Sequence, residues 1–190
     1  RESRSFHSVR PFKGRTLAPR GGNSQGHVNA RATAAFETSL FGKSLEFTAS
    51  PELQIVFDPD RYHPIRRYEG RTSFPKHVRP DIIGEMNGEE EKCALAIDLH
   101  PKVTRWVRNV ERLPSSFRLR ISDRWFYPDF VAQLDDGSAL VVEYKGKGTE
   151  GVADRTDEKR AIGQHWAKVT GSKFAMPFDG DYEAVARTIG

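Results

Sequence analysis

Two acids and a lysine, carried by two consecutive predicted strands, are the residues of this sequence best suited to chemistry. Asp129 lies in the first strand, and Glu143 and Lys145 lie in the second. Residues 135–137 between the strands end in glycine, which favours a three-residue hairpin loop with that glycine left-handed. Such a loop places Asp129 opposite Glu143, with Cβ atoms about 4.5–5.5 Å apart, and points Lys145 to the face of Glu143.

The apolar surroundings of these acids predict a metal site. The flanking strand positions are apolar on both faces, so the carboxylates are expected to be at least partly buried, where two unpaired negative charges are costly. A divalent cation removes the repulsion and binds carboxylate oxygens well. A metal held in this way can acidify a water molecule, and a neighbouring lysine can position that water and neutralise charge on phosphate oxygens. The residue types therefore favour metal-assisted hydrolysis of a phosphodiester.

The register of the hairpin decides whether this argument holds. If only residues 136–137 formed the loop, Asp129 would face Tyr144 instead of Glu143. The two carboxylates would then point to opposite faces of the sheet. Apolar residues occur on both faces of both strands, so the hydrophobic pattern leaves the two registers open.

The hydrophobic periodicity predicts an α/β (α+β) fold, a mixed β-sheet flanked by helices. Thr156 is expected to cap the helix that follows the hairpin, and Gly171 to end it. The predicted elements, in chain order, are a helix over 85–99, strands over 103–109, 117–121, 125–134 and 138–145, a helix over 157–169, a strand over 173–178 and a helix over 181–189.

Glu90 is a candidate third metal ligand. It interrupts the apolar stripe of the first predicted helix, on the side expected to face the sheet. The alternative is an acid placed for the helix dipole, because Glu89, Glu90 and Glu91 all lie in the first turns. Glu91 is the substitute candidate if Glu90 does not face the site.

Charge and composition divide the 190 residues into three parts. Residues 1–31 hold seven Lys or Arg residues against one acid and are predicted to be a basic arm or linker. Residues 32–80 give weak strand signals and are predicted to be a β-rich N-terminal extension, and residues 81–190 form the core domain. The single cysteine excludes an internal disulfide and a multi-cysteine zinc site, and no apolar run of membrane-spanning length occurs. We therefore expect a cytoplasmic protein, or a fragment of a longer chain, without a membrane partner.

Several basic and polar residues are candidates for contact with nucleic acid. Lys159 shares a helix face with Ile162 and Trp166. It either points toward the acids or lies on a solvated helix face, and the pattern favours the solvated face. The alternative for the whole set is a solvated cationic surface that binds no ligand. The candidates are Arg105, Arg108, Lys147, Lys159, Arg160 and Gln164.

The sequence resembles the PD-(D/E)xK nucleases, and within them the C-terminal endonuclease region of type III restriction enzymes and related helicase–nuclease restriction proteins. The resemblance covers roughly residues 74–178. Its most specific part is Pro128-Asp129 followed by Glu143-Tyr144-Lys145. The other matching stretches are Val103 to Asn109, Phe126 to Phe130, Asp136-Gly137 and Val142 to Gly146.

The resemblance implies a restriction-endonuclease-like core and cleavage of DNA with Mg²⁺, for which Mn²⁺ can substitute. It implies that Asp129, Glu143 and Lys145 form the catalytic set. It further implies that Glu90 assists by its position and that the main-chain carbonyl of Tyr144 contacts the metal. The expected role is restriction or another defence against foreign DNA.

The resemblance also suggests partners: a helicase or translocase domain, a methyltransferase subunit, and a second copy of the chain for double-strand cuts. Two alternatives stay open. One is a non-catalytic DNA-binding module of the same fold, and the other is a nuclease that is active only with a helicase partner.

Overall fold

The computed structural model describes residues 56–121, 124–148 and 155–190. The predicted basic arm, residues 1–31, and residues 32–55 of the predicted extension lie outside these ranges. The helices are α1 (Gly88–Leu99), α2 (Thr156–Thr170) and α3 (Glu183–Ile189), and the strands are β1 (Val103–Arg108), β2 (Leu119–Ile121), β3 (Arg124–Phe126), β4 (Phe130–Leu134), β5 (Ala139–Val142) and β6 (Lys173–Ala175).

Four of the strands form one mixed sheet in the order β1-β4-β5-β6. β1 and β5 run antiparallel to β4, and β6 runs parallel to β5. The parallel pair is possible because α2 crosses between β5 and β6. The predicted α+β class with a mixed sheet flanked by helices is therefore confirmed.

The β4–β5 hairpin has the register that places the two acids opposite each other. Val131 pairs with Val141, and Phe130 pairs with Val142. Gly137 is left-handed, with φ of 82°, and its N–H donates to the carbonyl of Leu134 at 3.0 Å. Asp136 further stabilises the loop by accepting from the main chain of Ser138 at 2.8 Å. The loop thus has three residues, and one step of slippage would move every side chain of a strand to the other face.

The sheet is buried on both faces, as the apolar strand sequences predict. α1 and α3 cover one face, where Cys93 and Trp106 lie fully buried. α2 covers the other face, where Trp166 packs at the centre. Phe130 and Val142 belong to the first of these cores, and Val131 and Val141 belong to the second.

The predicted continuous strand over residues 125–134 is wrong, because the chain breaks between β3 and β4. β2 and β3 pair only with each other, as a separate two-stranded sheet. Pro128, which lacks an N–H donor, lies within the break. The buried side chain of Asn109 holds the break by donating to the carbonyls of Phe117 and Pro128 at 2.9 Å and 2.7 Å.

Two further expectations meet a different structure. Thr156 is the first residue of α2 and not its cap, since Arg155 occupies the cap position and supplies no side-chain hydrogen bond. Gly171 ends α2 in the left-handed conformation, as predicted. In the predicted β-rich extension, the described residues 56–80 contain a 3-10 helix (Pro59–Arg61) and isolated bridges at Arg67 and His77, without a strand.

Among the residues that the structure describes, no helix has both the length and the apolar character needed to cross a bilayer.

Candidate active site

Asp129 lies in the segment between β3 and β4, directly before β4, and is bound by an arginine. One carboxylate oxygen accepts from Nη1 of Arg108 at 2.9 Å. The other accepts from the main-chain N–H of Tyr144 at 2.7 Å. Asp129 therefore connects the end of β1 to the segment that follows β5, and its side chain bridges three strands of the sheet.

Arg108 lies between two carboxylates. Its Nη2 donates to Glu90 at 2.9 Å, and its Nη1 also donates to the main-chain carbonyl of Asp129 at 2.9 Å. Nε donates to the carbonyl of Glu85 at 3.2 Å, and the guanidinium carbon lies 5.1 Å from the centroid of the Phe130 ring. The side chain is only 14% exposed. Because its planar guanidinium donates several hydrogen bonds and is little exposed, Arg108 is a fixed structural cation.

Glu90 caps α1, and its other oxygen binds Arg108. Its second oxygen accepts from the N–H of Asn87, which completes a capping box at the start of α1. Its first oxygen faces the site, where Arg108 separates it from Asp129. Burial raises the pKa of Glu90, against the lowering effect of Arg108.

Glu143 is buried and is bound by two lysines. Its side chain is 5% exposed. Oε1 accepts from Nζ of Lys145 at 2.8 Å and from Nζ of Lys159, on α2, at 3.1 Å. Burial, followed by the negative charge of Asp129, raises the pKa of Glu143 to about 7, in spite of both lysines. This carboxyl therefore changes between its protonated and its charged form near neutral pH.

The structure brings together the residues that the hairpin argument joined. The charge of Asp129 acts on both Glu143 and Glu90, and Lys145 contacts Glu143 from the same face. Burial first, and then the charges of Asp129 and Glu90, also raise the pKa of Cys93, which lies buried under this group. Three carboxylates and three cations thus share one end of the sheet, which we call the charge cluster: Glu90, Asp129, Glu143, Arg108, Lys145 and Lys159.

Each acid of the predicted catalytic pair has a cationic side chain as its partner. Asp129 is paired with Arg108, and Glu143 is paired with both lysines. Within the described ranges, no group of three or more His, Cys, Asp or Glu side chains is arranged to hold a metal ion. A metal that binds Asp129 and Glu143 must therefore compete with cations of the protein itself.

The residues predicted to contact nucleic acid are dispersed. Arg108 and Lys159 lie inside the charge cluster. The exposed Arg105 donates to Gln133 at 2.8 Å, and Arg160 pairs with Asp157 at 3.0 Å. Lys147, whose side chain is 84% exposed, lies 3.9 Å from Asp179, and Gln164 is exposed on α2. Arg105, Lys147, Arg160 and Gln164 thus lie outside the charge cluster.

Sequence reasoning assigned a different partner to two cations of the cluster. Arg108 is predicted to contact nucleic acid, yet it lies on the α1 side and binds two acids. The signal for this was its register, since Arg108 alternates with the buried Val107 and follows Trp106 by two positions. Lys159, for which the sequence favours a solvated helix face, points toward the acids and contacts Glu143 at 3.1 Å.

Comparison with known proteins identifies no relative. No family model matches the chain, and neither the comparison with curated proteins nor that with solved structures finds a match.

Proposed function

We propose that the protein is a metal-dependent DNA endonuclease with a restriction-endonuclease-like core. The observation that carries this proposal is the pairing at the end of the β4–β5 hairpin. Asp129 directly precedes β4 and Glu143 directly follows β5, next to the paired residues Phe130 and Val142, and the amine of Lys145 lies 2.8 Å from Glu143. The order helix, three antiparallel strands, helix and parallel strand, given by α1, β1, β4, β5, α2 and β6, supports the same proposal.

The donor set fits a hard divalent cation. Two carboxylates and a main-chain carbonyl, that of Tyr144, are oxygen ligands of the kind Mg²⁺ and Mn²⁺ take. The raised pKa of Glu143 also fits, because it shows that the positive charge around the acid pair does not fully offset burial and the charge of Asp129. When bound, the metal supplies an acidified water and a positive charge for phosphate oxygens.

The residues of the charge cluster have distinct parts in the proposed reaction. Asp129 and Glu143 would hold the cation, and the N–H of Tyr144 orients the Asp129 carboxylate. Lys145 exchanges its contact with Glu143 for the attacking water and a phosphate oxygen. Arg108 holds Asp129 in place from the side of α1 and binds Glu90, so Glu90 acts through Arg108. A role in restriction or defence rests on the sequence resemblance alone.

A plasmid-cleavage assay tests the proposal. Supercoiled DNA is incubated with the full chain and Mg²⁺ or Mn²⁺, and nicked and linear products are measured. We expect Asp129→Ala and Lys145→Ala each to lower the cleavage rate by about 100-fold or more, which is typical for loss of one group that stabilises the transition state. Asp135→Ala and Lys168→Ala, at exposed positions outside the cluster, serve as matched controls that keep wild-type rates.

Circular dichroism of each variant separates loss of activity from loss of fold. Undiminished cutting by folded Asp129→Ala would overturn the assignment of the site.

The ion pairs of the charge cluster favour a second candidate, a DNA-binding module of the same fold without catalysis. In that case Arg108, Lys145 and Lys159 permanently neutralise the acids, and the cluster is purely structural. DNA binding by the wild-type chain with no nicking in either metal would support this candidate. Mg²⁺-dependent nicking that Asp129→Ala abolishes would reject it.

A further inference from the structure

We propose that the outer face of the β2–β3 hairpin binds single-stranded nucleic acid and delivers an unpaired strand to the charge cluster. This inference deepens the proposed function and rests on it for the delivery step. The outer face consists of Arg118, Arg120, Trp125 and Tyr127. The binding step stands on the side chains of the hairpin alone.

The two faces of this hairpin differ sharply. Leu119, Ile121 and Phe126 point inward and are buried in the core under α2. The alternation of strands then places Arg120 and its pairing partner Trp125 on the outer face. Arg118 and Tyr127, two positions away on each strand, extend the same face.

The outer face is an arrangement of guanidinium groups over aromatic rings. The guanidinium carbon of Arg118 lies 4.3 Å from the centroid of the Trp125 ring, and that of Arg120 lies 5.3 Å away. Arg118 also donates weakly to the hydroxyl of Tyr127 at 3.5 Å. Trp125 and Tyr127 are both half-buried and Arg118 is exposed, so rings and cations are accessible together.

The arginines of this face differ from the cations of the charge cluster in their partners. Within residues 56–121, 124–148 and 155–190, no carboxylate forms a salt bridge with Arg118 or Arg120, whereas the three cations of the charge cluster all have one. Cations over accessible aromatic rings suit a phosphate backbone together with unpaired bases that stack. In a duplex the bases are paired and stacked on each other, which is why the face favours a single strand.

The hairpin adjoins the charge cluster. Trp125 and Asp129 are four residues apart, which limits their separation to about 14 Å of extended chain. On the inner face, the Phe126 ring centroid lies 5.4 Å from Nζ of Lys159, and the same Nζ lies 3.1 Å from Glu143. A strand held on Trp125 therefore passes within a few nucleotides of the acids.

Fluorescence anisotropy tests the binding step without cleavage. The full chain in EDTA is titrated into a labelled oligothymidine of about 20 nucleotides, a length that covers several binding sites of this kind, and into a duplex of equal length. We expect tighter binding of the single strand. Trp125→Leu should weaken it by roughly 5- to 150-fold, the range for loss of one stacked base, and Trp125→Phe should retain most of the affinity.

Salt dependence tests the arginines. Arg118→Gln with Arg120→Gln should lower the slope of log K against log salt concentration by about 0.7 for each lost phosphate contact. The matched control, Lys92→Gln with Lys168→Gln, removes two exposed charges on α1 and α2 and should leave the slope close to that of the wild type. The wild-type tryptophan fluorescence should fall when the oligonucleotide binds, and this fall should be absent in Trp125→Leu.

Four results would overturn the proposal. Three concern nucleic acid: wild-type affinity in both the Trp125 and the arginine variants, an equal change of slope in the lysine control, and tighter binding of the duplex than of the single strand. The fourth uses polyglutamate in place of the oligonucleotide: binding that falls equally in the Trp125 and arginine variants would indicate an acidic protein partner instead. The plasmid assay is read separately. Loss of single-strand binding with intact plasmid cleavage rejects the hairpin alone, and intact binding without metal-dependent cleavage rejects the nuclease alone.

Discussion

The two halves of the charge cluster neutralise their acids in different ways. On the α1 side, one arginine binds both Asp129 and Glu90 and is further fixed by main-chain carbonyls. On the α2 side, Glu143 is bound by two lysines through the same oxygen. The first half has a rigid planar cation, and the second has two point charges on flexible stems.

This difference indicates in which half the contacts between acid and cation can rearrange. A guanidinium with four donated hydrogen bonds is costly to displace, so Asp129 keeps its orientation. Lysine ammonium groups rotate and move more easily, and the pKa of Glu143 stands near 7 in spite of them. We therefore expect the arginine half to determine stability and the lysine half to determine the pH dependence and any metal-linked chemistry.

The largest expected effect is that of Arg108→Gln. This change leaves two little-exposed carboxylates without their cation, which typically costs about 3–5 kcal/mol of unfolding free energy. Chemical denaturation of the full chain measures it. If Asp129 takes part in a metal site, Mg²⁺ should restore part of the lost stability, because a divalent cation can replace the missing charge.

Arg105→Gln is the matched control for this measurement. It lies on the same strand, is exposed and makes its hydrogen bond to the neutral Gln133, so we expect a loss within about 0.5 kcal/mol. Similar losses in the two variants would contradict the distinction between the halves.

The next effect is a pH dependence carried by Glu143. The folded carboxyl titrates near 7, whereas in the unfolded chain it titrates near its ordinary 4.5. Between these values the folded state holds a proton that the unfolded state has lost, so this group makes stability fall as the pH rises from about 4.5 to 7. The total change is at most about 3 kcal/mol, since one pKa unit corresponds to about 1.4 kcal/mol.

Comparison with Glu143→Gln isolates this contribution, because the burial of His77 lowers the pKa of that residue to about 4 and gives stability a slope of the opposite sign. The difference in unfolding free energy between wild type and Glu143→Gln should follow the falling curve. Glu69→Gln, at an exposed position, should reproduce the wild-type curve. A flat difference between pH 4.5 and 7 would contradict the raised pKa.

The smallest effect separates the two lysines. Both contact Glu143, but the side chain of Lys159 is 20% exposed and that of Lys145 is 8% exposed. Lys159→Met should therefore cost less stability than Lys145→Met, about 1 kcal/mol or below. It should also raise the midpoint of the Glu143 titration, which the pH dependence of unfolding reports. A larger loss from Lys159→Met than from Lys145→Met would reverse the order of the two amines.

The apolar pattern left the register of the hairpin open, because both faces of both strands are apolar. The three-residue loop itself could be predicted because its determinants, Gly137 and the two preceding aspartates, are local. Gly171, for the same reason, correctly predicted where α2 ends. The break at Pro128 was missed because it depends on Asn109, 19 positions earlier, whose side chain donates to the carbonyl of Pro128 and to that of Phe117 before β2.

The partners of the acids could not be predicted, because they come from elements distant in sequence. Arg108 reaches Asp129 across the β1–β4 pair, and Lys159 reaches Glu143 from a helix on the opposite face from α1. An alternating strand pattern shows on which face a charge lies, but not which opposite charge meets it there. The sequence thus located the acids and left their neutralisation undetermined.

The position of Cys93 gives the protein a natural probe of this region. As the only thiol of the chain, fully buried on α1 beneath Asp129 and Glu90, it is shielded from alkylating reagents as long as α1 stays on the sheet. The labelling rate of the unmodified chain therefore reports how often that packing opens. An ion that binds Asp129 and Glu90 and stabilises the packing of α1 on the sheet would slow the labelling of Cys93, and no engineered cysteine is needed.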